Sequence, residues 1–273
     1  MYGFYRISAC VPRLKIADVR FNVEEIQHLA EKASAAGGSV ILFPELAVTG
    51  YSCADLFHNS ALLDQAEKGI AELAETLPGN AVYAIGAPVR FRGRLFNAAV
   101  VMQNGSILGV VPKINLPNYR EFYEKRYFSS GRGIEAEVFP FAGFDKVPFG
   151  GDLIFEVSPE LRIGIEICED MWVPAAPSVN QAVDGAQVLF NLSASPEVIG
   201  KHNYLLSLVK SQSARTQSAY VYCSAGYGES STDLVFAGNG IIVEGGQILQ
   251  RSERFSLEEQ LVVADIDTGR LIT

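Results

Sequence analysis

Three polar side chains stand directly after apolar runs, where buried strands would end. Cys168 follows LRIGIEI, Glu45 follows VILFP, and Lys113 follows SILGVVP. Charged side chains are seldom placed in apolar surroundings without a partner, so each is a candidate for chemistry. Taken singly, each also has a structural interpretation: Cys168 as a small core hydrophobe, Glu45 and Lys113 as strand-end charges that face solvent.

Taken together, the three residues supply a thiol, a base and a cation. Glu45 could accept the proton of the thiol, because a carboxylate in a dry site has its pKa moved toward the working range. Lys113, kept as an ammonium, could stabilise an oxyanion and favour the thiolate of Cys168. This combination predicts nucleophilic attack by Cys168 on a carbonyl carbon.

The sequence offers little support for a histidine base. Its three histidines, His28, His58 and His202, have no motif around them, and we expect structural or solvent-exposed roles for all three. A Gly-x-Ser-x-Gly elbow is absent from the sequence. The histidines are also unclustered, so we expect no metal.

Composition narrows the class of protein. The 273 residues are 48% hydrophobic, enough for one large domain over residues 1–273. The net charge of −9 and the isoelectric point of about 4.9 argue against a nucleic-acid or anionic-membrane partner. Four widely spaced cysteines (Cys10, Cys53, Cys168 and Cys223) suggest free thiols in a reducing compartment, with all but Cys168 buried as small hydrophobes. With no signal-peptide pattern and no run of ~18 apolar residues, a cytoplasmic protein is expected.

The first half of the chain alternates strand and helix patterns. FYRISACV is a strand, and a helix with a capping box of Asn22 and Glu25 follows it. After the strand SVILFPE, a second helix is predicted from Ser60, as its cap, to Leu77. Asn104–Gly105 between apolar runs predicts a hairpin. Residues 114–150 read as a long irregular loop, which is typical of a functional segment.

The second half repeats the alternation. LRIGIEIC is followed by a helix over residues 177–185, the strand AQVLFNLS, a helix over 201–218 and the strand AYVYCSAG. A hairpin, GNGIIVEGGQILQ, and the strand LVVADID close the chain. Alternating strands and helices with interspersed hairpins predict an α/β layered fold with mixed sheets.

The segments FPELAVTGY, VVPK and GIEICEDMW resemble the Glu-Lys-Cys signature of the nitrilase (carbon–nitrogen hydrolase) superfamily. FPELAVTGYSCADLF, LPNYREFYEKRYF, NLSASP with Gly200–Lys201, and ESSTDLVFAGNG are similar to one branch of it, the glutaminase domain of glutamine-dependent NAD synthetase. The resemblance covers about Tyr5 to Asp267. It implies a four-layer α-β-β-α sandwich, two mixed sheets flanked by helices.

The resemblance also implies site residues. Glu45 would be the general base, Lys113 the oxyanion stabiliser and Cys168 the nucleophile, with the backbone N–H of Glu169 as second oxyanion donor. Glu124 would be the supporting second carboxylate, whereas Glu121 is out of register. The implied substrate-pocket residues are Tyr119, Trp172, Ser195 and Lys201, although Trp172 also suits a plain core position. GESSTDLVF departs from the family form, so residues 230–232 are weaker candidates for contacts.

The function implied is release of ammonia from glutamine through a Cys168 thioester. In the family this ammonia feeds ATP-dependent amidation of nicotinic acid adenine dinucleotide to NAD by a C-terminal synthetase domain. No pyrophosphate-loop motif of that domain occurs in this sequence. ATP and Mg²⁺ would belong to that domain alone, and the glutaminase would need no cofactor. The resemblance also implies a homo-oligomer.

Two rival functions remain. One is a stand-alone ω-amidase or carbamoyl-amide hydrolase of the same superfamily. The other is a non-catalytic oligomerisation scaffold, which is weakened because three polar strand-end residues would be costly to bury without use.

Overall fold

The computed structural model describes residues 3–229 and 233–271. Its strands are β1 (Phe4–Val11), β2 (Val40–Leu42), β3 (Val82–Phe91), β4 (Arg94–Gln103), β5 (Ser106–Pro112), β6 (Glu137–Phe141), β7 (Phe144–Phe149), β8 (Ile154–Ser158), β9 (Leu161–Ile167), β10 (Val188–Ser193), β11 (Ala219–Ser224), β12 (Gly240–Glu244), β13 (Gln247–Arg251) and β14 (Gln260–Asp267). Its helices are α1 (Val19–Ala35), α2 (Ser60–Thr76), α3 (Pro177–Val183), α4 (Lys201–Thr216) and α5 (Thr268–Leu271).

The strands form two mixed sheets. Within the described part of the chain, the first has eight strands in the order β14-β1-β2-β3-β4-β5-β7-β6, and the second has six in the order β13-β12-β11-β10-β9-β8. Strands β1, β2 and β3 are parallel, as are β9, β10 and β11, while the hairpin partners are antiparallel. The prediction of mixed sheets is confirmed.

Alternation along the strands divides the core into layers. Ile165 of β9 and Phe190 of β10 face Leu42 and Val101 of the first sheet, in a fully buried layer between the two sheets. The opposite face of the first sheet is covered by α1 and α2, and that of the second by α4. The four-layer α-β-β-α sandwich is therefore confirmed.

Helix α3 packs against β9 at a glycine. A Cβ at Gly164 would lie 2.9 Å from the Cβ of Gln181 and 2.6 Å from its Oε1, so a larger residue would push α3 away from the strand. Gln181 Nε2 donates to the carbonyl of Ile165 at 2.7 Å, and the carboxylate of Glu166 accepts the N–H of Ser178 at 2.9 Å. These contacts fix α3 to the strand that leads to Cys168.

Both predicted helix caps are wrong, that of α1 by four residues and that of α2 by one. Helix α1 begins at Val19, and its cap is Asp18, whose side chain accepts from the N–H of Phe21. Asn22 is instead buried inside the helix and bonds both the N–H and the carbonyl of Lys15. Helix α2 is capped by Asn59, not by Ser60. Polar residues near a helix start compete for the cap position, and tertiary contacts decide which one takes it.

The hairpin at Asn104–Gly105 is confirmed, with φ of 53° and 74° at the two turn residues. The prediction of an irregular loop over 114–150 is wrong in its second half. Residues 137–149 form β6 and β7, which extend the first sheet beyond β5. Irregular backbone is concentrated in residues 113–136, apart from a short 3₁₀ turn over Glu124–Arg126.

Strand direction brings the predicted residues together. β2 and β5 run the same way, because β3 is parallel to β2 and β4 is antiparallel to both its neighbours. Glu45 and Lys113, which follow these two strands, therefore lie at the same end of the strands in the first sheet. The Glu45 N–H donates to the carbonyl of Ser193 at 3.3 Å, and this bond joins the two sheets, because Ser193 is the last residue of β10.

Candidate active site

Glu45 begins a turn over residues 45–49, which lies against β3. A Cβ at Gly86 would lie 2.3 Å from the backbone nitrogen of Leu46, so glycine is required for the turn to sit there. The Glu45 side chain is fully buried. It accepts from Asn97 Nδ2 at 2.6 Å, from Lys113 Nζ at 2.6 Å and from the Ala194 N–H at 2.8 Å.

Lys113 lies between two carboxylates. Its Nζ donates to Glu45 Oε1 and to Glu124 Oε1, both at 2.6 Å, with all three side chains buried. Burial lowers the pKa of Lys113, but Glu124 and Glu45 raise it, and the pKa ends well above its ordinary value. Lys113 therefore stays an ammonium. An ion pair this deeply buried persists only because several hydrogen bonds satisfy it.

Glu124 is the second carboxylate on this ammonium. Tyr51 Oη donates to its Oε1 at 2.9 Å, whereas its buried Oε2 has no hydrogen-bond partner among the described residues. Burial raises the pKa of Glu124 to about 7, with Lys113 opposing and Glu45 adding to the shift. Near neutral pH this carboxyl group exchanges a proton readily.

Cys168 follows β9 and opens a 3₁₀ turn over Cys168–Met171. Its φ is +45°, a left-handed conformation that is uncommon for a residue with a Cβ. The thiol is almost fully buried, and it lies close enough to Lys113 that each affects the pKa of the other. Asn191 Nδ2 donates to the carbonyl of Cys168 at 3.4 Å.

Lys113 acts on the Cys168 thiol in the expected direction, but it does not make the thiolate the resting form. Lys113 does lower the pKa of Cys168, but burial and the carboxylates of Glu45 and Glu124 outweigh it and raise the pKa to about 12. The resting thiol is therefore protonated. A base must remove its proton during attack, and Glu45, a buried carboxylate of the same cluster, is available.

A cavity of about 360 Å³ opens above Cys168. Its lining includes the predicted substrate residues Tyr119, Glu169, Trp172, Ser195 and Lys201. Glu124, which was expected among the substrate-binding residues, does not line it; its side chain is buried against Lys113.

Four of the predicted substrate residues in this cavity form two hydrogen-bonded pairs. Tyr119 Oη donates to Glu169 at 3.0 Å, and Lys201 Nζ donates to Ser195 Oγ at 2.7 Å. Burial lowers the pKa of Lys201, and burial raises that of Glu169. Trp172 fits both the pocket-wall and the core interpretation. Its ring centroid lies 5.2 Å from Lys201 Nζ, and the ring also packs against the core beneath α4.

Several residues of the site escaped prediction. Asn97 donates a hydrogen bond to Glu45, and Tyr51 donates one to Glu124. The Ala194 N–H donates to the second carboxylate oxygen of Glu45. The sequence contains an indication of a role for Asn97, because it is a polar residue inside the apolar run LFNAAVV. Tyr51 belongs to FPELAVTGY, but only the fold shows that its hydroxyl reaches Glu124. Residues 230–232 lie outside the described part of the chain.

No histidine lines the cavity above Cys168 among the described residues. His28 lies 3.8 Å from Glu259, and the ring of His58 lies 5.7 Å from that of Tyr127. Cys10, Cys53 and Cys223 are buried and unpaired as expected. Within the described residues, no helix is long and apolar enough to cross a membrane.

The fold and the buried Glu-Lys-Cys cluster agree with one family of enzymes. The family described as "Carbon-nitrogen hydrolase" matches residues 6–273, and the chain belongs to it.

Curated relatives narrow the comparison. The chain is 44% identical over 276 residues to the glutamine-dependent NAD(+) synthetase of Mycobacterium tuberculosis (strain CDC 1551 / Oshkosh), over 99% of this chain and 40% of that protein. It is 28% identical to the enzyme of that name from Homo sapiens, over 96% of this chain and 38% of that protein. The chain thus spans about two-fifths of the length of these relatives.

Solved structures agree on the fold. A glutamine-dependent NAD(+) synthetase from Cytophaga hutchinsonii superposes with a TM-score of 0.88 at 30% identity, over 97% of this chain and 43% of that one. An amidase from Nesterenkonia sp. superposes with a TM-score of 0.75 at 20% identity, over 99% of this chain and 94% of that one. At that identity the amidase shows the fold alone.

Proposed function

We propose that this chain is a glutamine amidohydrolase, the ammonia-releasing part of a glutamine-dependent NAD synthetase. The observation that carries the proposal is the buried cluster of Glu45, Lys113 and Cys168 beneath a cavity of amino-acid size. The 44% identity to enzymes named for their use of glutamine supports this substrate over other amides.

The first half-reaction forms a thioester. Cys168 Sγ attacks the side-chain amide carbon while Glu45 takes the thiol proton. Lys113 and the Glu169 N–H stabilise the negative oxygen of the tetrahedral intermediate. Glu45 then gives the proton to the amide nitrogen, the C–N bond breaks, and ammonia leaves.

The second half-reaction regenerates the thiol. Glu45 takes a proton from water, whose oxygen attacks the thioester carbon. The C–S bond breaks, the proton returns to Cys168, and glutamate departs.

The cavity suits a free amino acid. A carboxylate, Glu169, and an ammonium, Lys201, line the same cavity as the nucleophile. Glu169 matches the α-ammonium of glutamine, and Lys201 with Ser195 matches its α-carboxylate. Tyr119 holds the Glu169 carboxylate in place, and Trp172 forms a wall.

In the whole protein, the ammonia would amidate nicotinic acid adenine dinucleotide. The relatives extend well beyond the matched region, which supports a synthetase domain in the same polypeptide. ATP and Mg²⁺ would act in that domain, while the glutaminase chemistry would use only side chains and backbone groups of this chain. A cytoplasmic homo-oligomer of glutaminase domains remains part of this proposal.

The test measures ammonia released from glutamine by the chain and by Cys168→Ala. We expect at least a ~10⁴-fold loss in the variant, because no other group replaces the nucleophile. Cys10→Ala, which removes a buried thiol outside the site, is the control. Ammonia release by Cys168→Ala at the wild-type rate would contradict the proposal.

A substrate panel separates the rivals. Turnover of another ω-amide or a carbamoyl compound, with glutamine inert, would favour the stand-alone amidase. Since glutaminase sites often need a partner domain to order their loops, mass spectrometry should also seek a covalent Cys168 adduct with a glutamine-like electrophile. A chain that neither turns over nor forms the adduct would favour the scaffold.

A further inference from the structure

Asp170 lies two residues after the nucleophile, with its side chain buried in the turn that Cys168 opens. Its Oδ1 accepts the N–H of Asn115 at 2.7 Å and the side-chain amide of Asn115 at 2.8 Å. Its Oδ2 accepts the N–H of Ile167 at 3.1 Å and that of Ile114 at 3.3 Å. Both carboxylate oxygens are thus engaged.

These donors come from two segments that carry reacting groups. Ile114 and Asn115 directly follow Lys113, and Ile167 directly precedes Cys168. Lys113 directly follows β5 of the first sheet, while Cys168 directly follows β9 of the second. The Asp170 carboxylate therefore joins the two sheets where the ammonium and the thiol must meet.

A carboxylate is the side chain suited to this place. All four groups that point at it are N–H donors, and an ionised carboxylate offers acceptors only. An asparagine would turn an NH₂ group toward at least one of these donors, and that donor would lose its partner.

We infer that Asp170 is a positioning residue that fixes the spacing between the Lys113 ammonium and the Cys168 thiol. It does not touch substrate, and it acts through the backbone on either side of the reacting groups. The inference deepens the proposed function and rests on it for the reaction that is assayed. Its loss should slow the chemical step and leave the proposed α-carboxylate partners in place, since Ser195 and Lys201 lie on other segments.

The test compares the whole chain with Asp170→Asn, after circular dichroism and thermal unfolding have shown that both are folded. We expect kcat for ammonia release to fall roughly 100-fold, because a displacement of about 1 Å at reacting groups costs that much. KM for glutamine should change by a smaller factor than kcat, because Ser195 and Lys201 keep their positions. Alkylation of Cys168 by iodoacetamide, followed by mass spectrometry, should slow by about tenfold, as the ammonium that favours the thiolate is no longer held near it.

The control is Ser213→Ala, which removes buried hydrogen bonds to the Ser218 carbonyl and from the Gly246 N–H. It should lower stability and leave both the alkylation rate and kcat at wild-type values. A purely structural Asp170 would behave like this control, and that result would overturn the inference.

The two readouts separate the hypotheses. Slower alkylation in Asp170→Asn, with no ammonia released even by the wild type, supports the positioning role and contradicts the proposed substrate. Normal alkylation and normal kcat in the variant, with a wild type that releases ammonia, overturn the positioning role and support the proposed substrate. If Asp170→Asn does not fold, Asn115→Ala takes its place, because it removes one of the four donors. An alkylation rate about threefold lower would support the inference, and an unchanged rate would overturn it.

Discussion

Cys168 is buried beside two carboxylates and one ammonium, and these neighbours act on its pKa in opposite directions. Burial and Glu45 raise the pKa, and Lys113 alone does not offset them. The thiol therefore keeps its proton until substrate is in place. This differs from a Cys-His pair, in which the thiolate exists before the substrate arrives.

The protonation state of Cys168 predicts a pH profile. With a pKa of about 12, the thiolate fraction is small at neutral pH and grows as pH rises. Alkylation of Cys168 by iodoacetamide should accelerate about tenfold per pH unit between roughly pH 7 and pH 10. Mass spectrometry of quenched samples measures this rate, and a plateau near neutral pH would show a preformed thiolate instead.

The backbone of Cys168 leads to a second prediction. At φ of +45° a Cβ crowds the backbone, and glycine avoids this cost. Cys168→Gly should be more stable than Cys168→Ala by about 1 kcal/mol, since both lack the thiol and differ in that strain. Urea unfolding of the two variants measures the difference, and a less stable glycine variant would show that the conformation is not strained.

At the scale of elements, Gly86 of β3 decides where the Glu45 turn can lie. An alanine Cβ there would meet the backbone nitrogen of Leu46 at 2.3 Å and the Pro44 carbonyl at 2.4 Å. Backbone cannot move aside as a side-chain tip can. The turn would have to lift off the sheet and carry Glu45 away from Lys113.

Gly86→Ala should therefore lose stability and activity together. We expect about 3 kcal/mol of destabilisation from overpacking, and a fall in kcat of roughly 100-fold. Gly109→Ala in β5 is the matched control, because the atoms nearest its Cβ would be side-chain atoms of Phe155 and Leu153, at 3.0 and 3.2 Å. Its cost should be about 1 kcal/mol with normal kcat. Equal effects in the two variants would contradict the role given to Gly86.

Elements were predictable where a local signal has no competitor. Asn104–Gly105 supplies the left-handed backbone of its turn, and nothing nearby offers an alternative. Helix starts were less predictable, because Asp18 and Asn22 are both suitable caps and Asn22 is drawn inside to bind the backbone of Lys15. The hairpin at 137–149 was missed because its strands contain Pro140 and Pro148, which weaken a strand pattern.

At the scale of the whole molecule, a buried carboxylate away from the cavity links stability to pH. Glu166 accepts from the Tyr220 hydroxyl and from the Ser178 N–H. Burial raises its pKa to about 7 although both donors oppose the shift. Below about pH 4.5 this carboxyl is protonated in both the folded and unfolded states. As pH rises through 7 the unfolded chain has already lost the proton, and the folded chain must lose it at a cost.

Glu166→Gln should flatten this dependence. Between about pH 5 and pH 8, the wild type should lose roughly 3 kcal/mol more unfolding free energy than the variant. Urea titrations at the two pH values measure it, with Glu156→Gln as a control that removes an exposed carboxylate from the neighbouring strand. Parallel pH profiles for wild type and Glu166→Gln would contradict the prediction.

The site was predictable only where sequence position carries the information. Glu45, Lys113 and Cys168 each end an apolar run, so strand order alone brings them to one region. Asn97 and Asp170 act through contacts between segments far apart in the chain, which a linear pattern does not contain. The direction of the pKa shift at Cys168 also depends on burial, a property of the finished fold.

The position of β1 in the first sheet has a consequence for synthesis. β1 lies between β2, which follows it closely, and β14, which is made near the end of this sequence. On the ribosome, one edge of β1 therefore stays open while nearly all the rest of the chain emerges. Its residues Ile7, Ala9 and Val11 belong to the layer between the sheets. An apolar strand therefore has one unpaired backbone edge during that time. Open edges of this kind pair with other chains, and the nascent protein has its greatest need of a chaperone before residues 260–267 arrive.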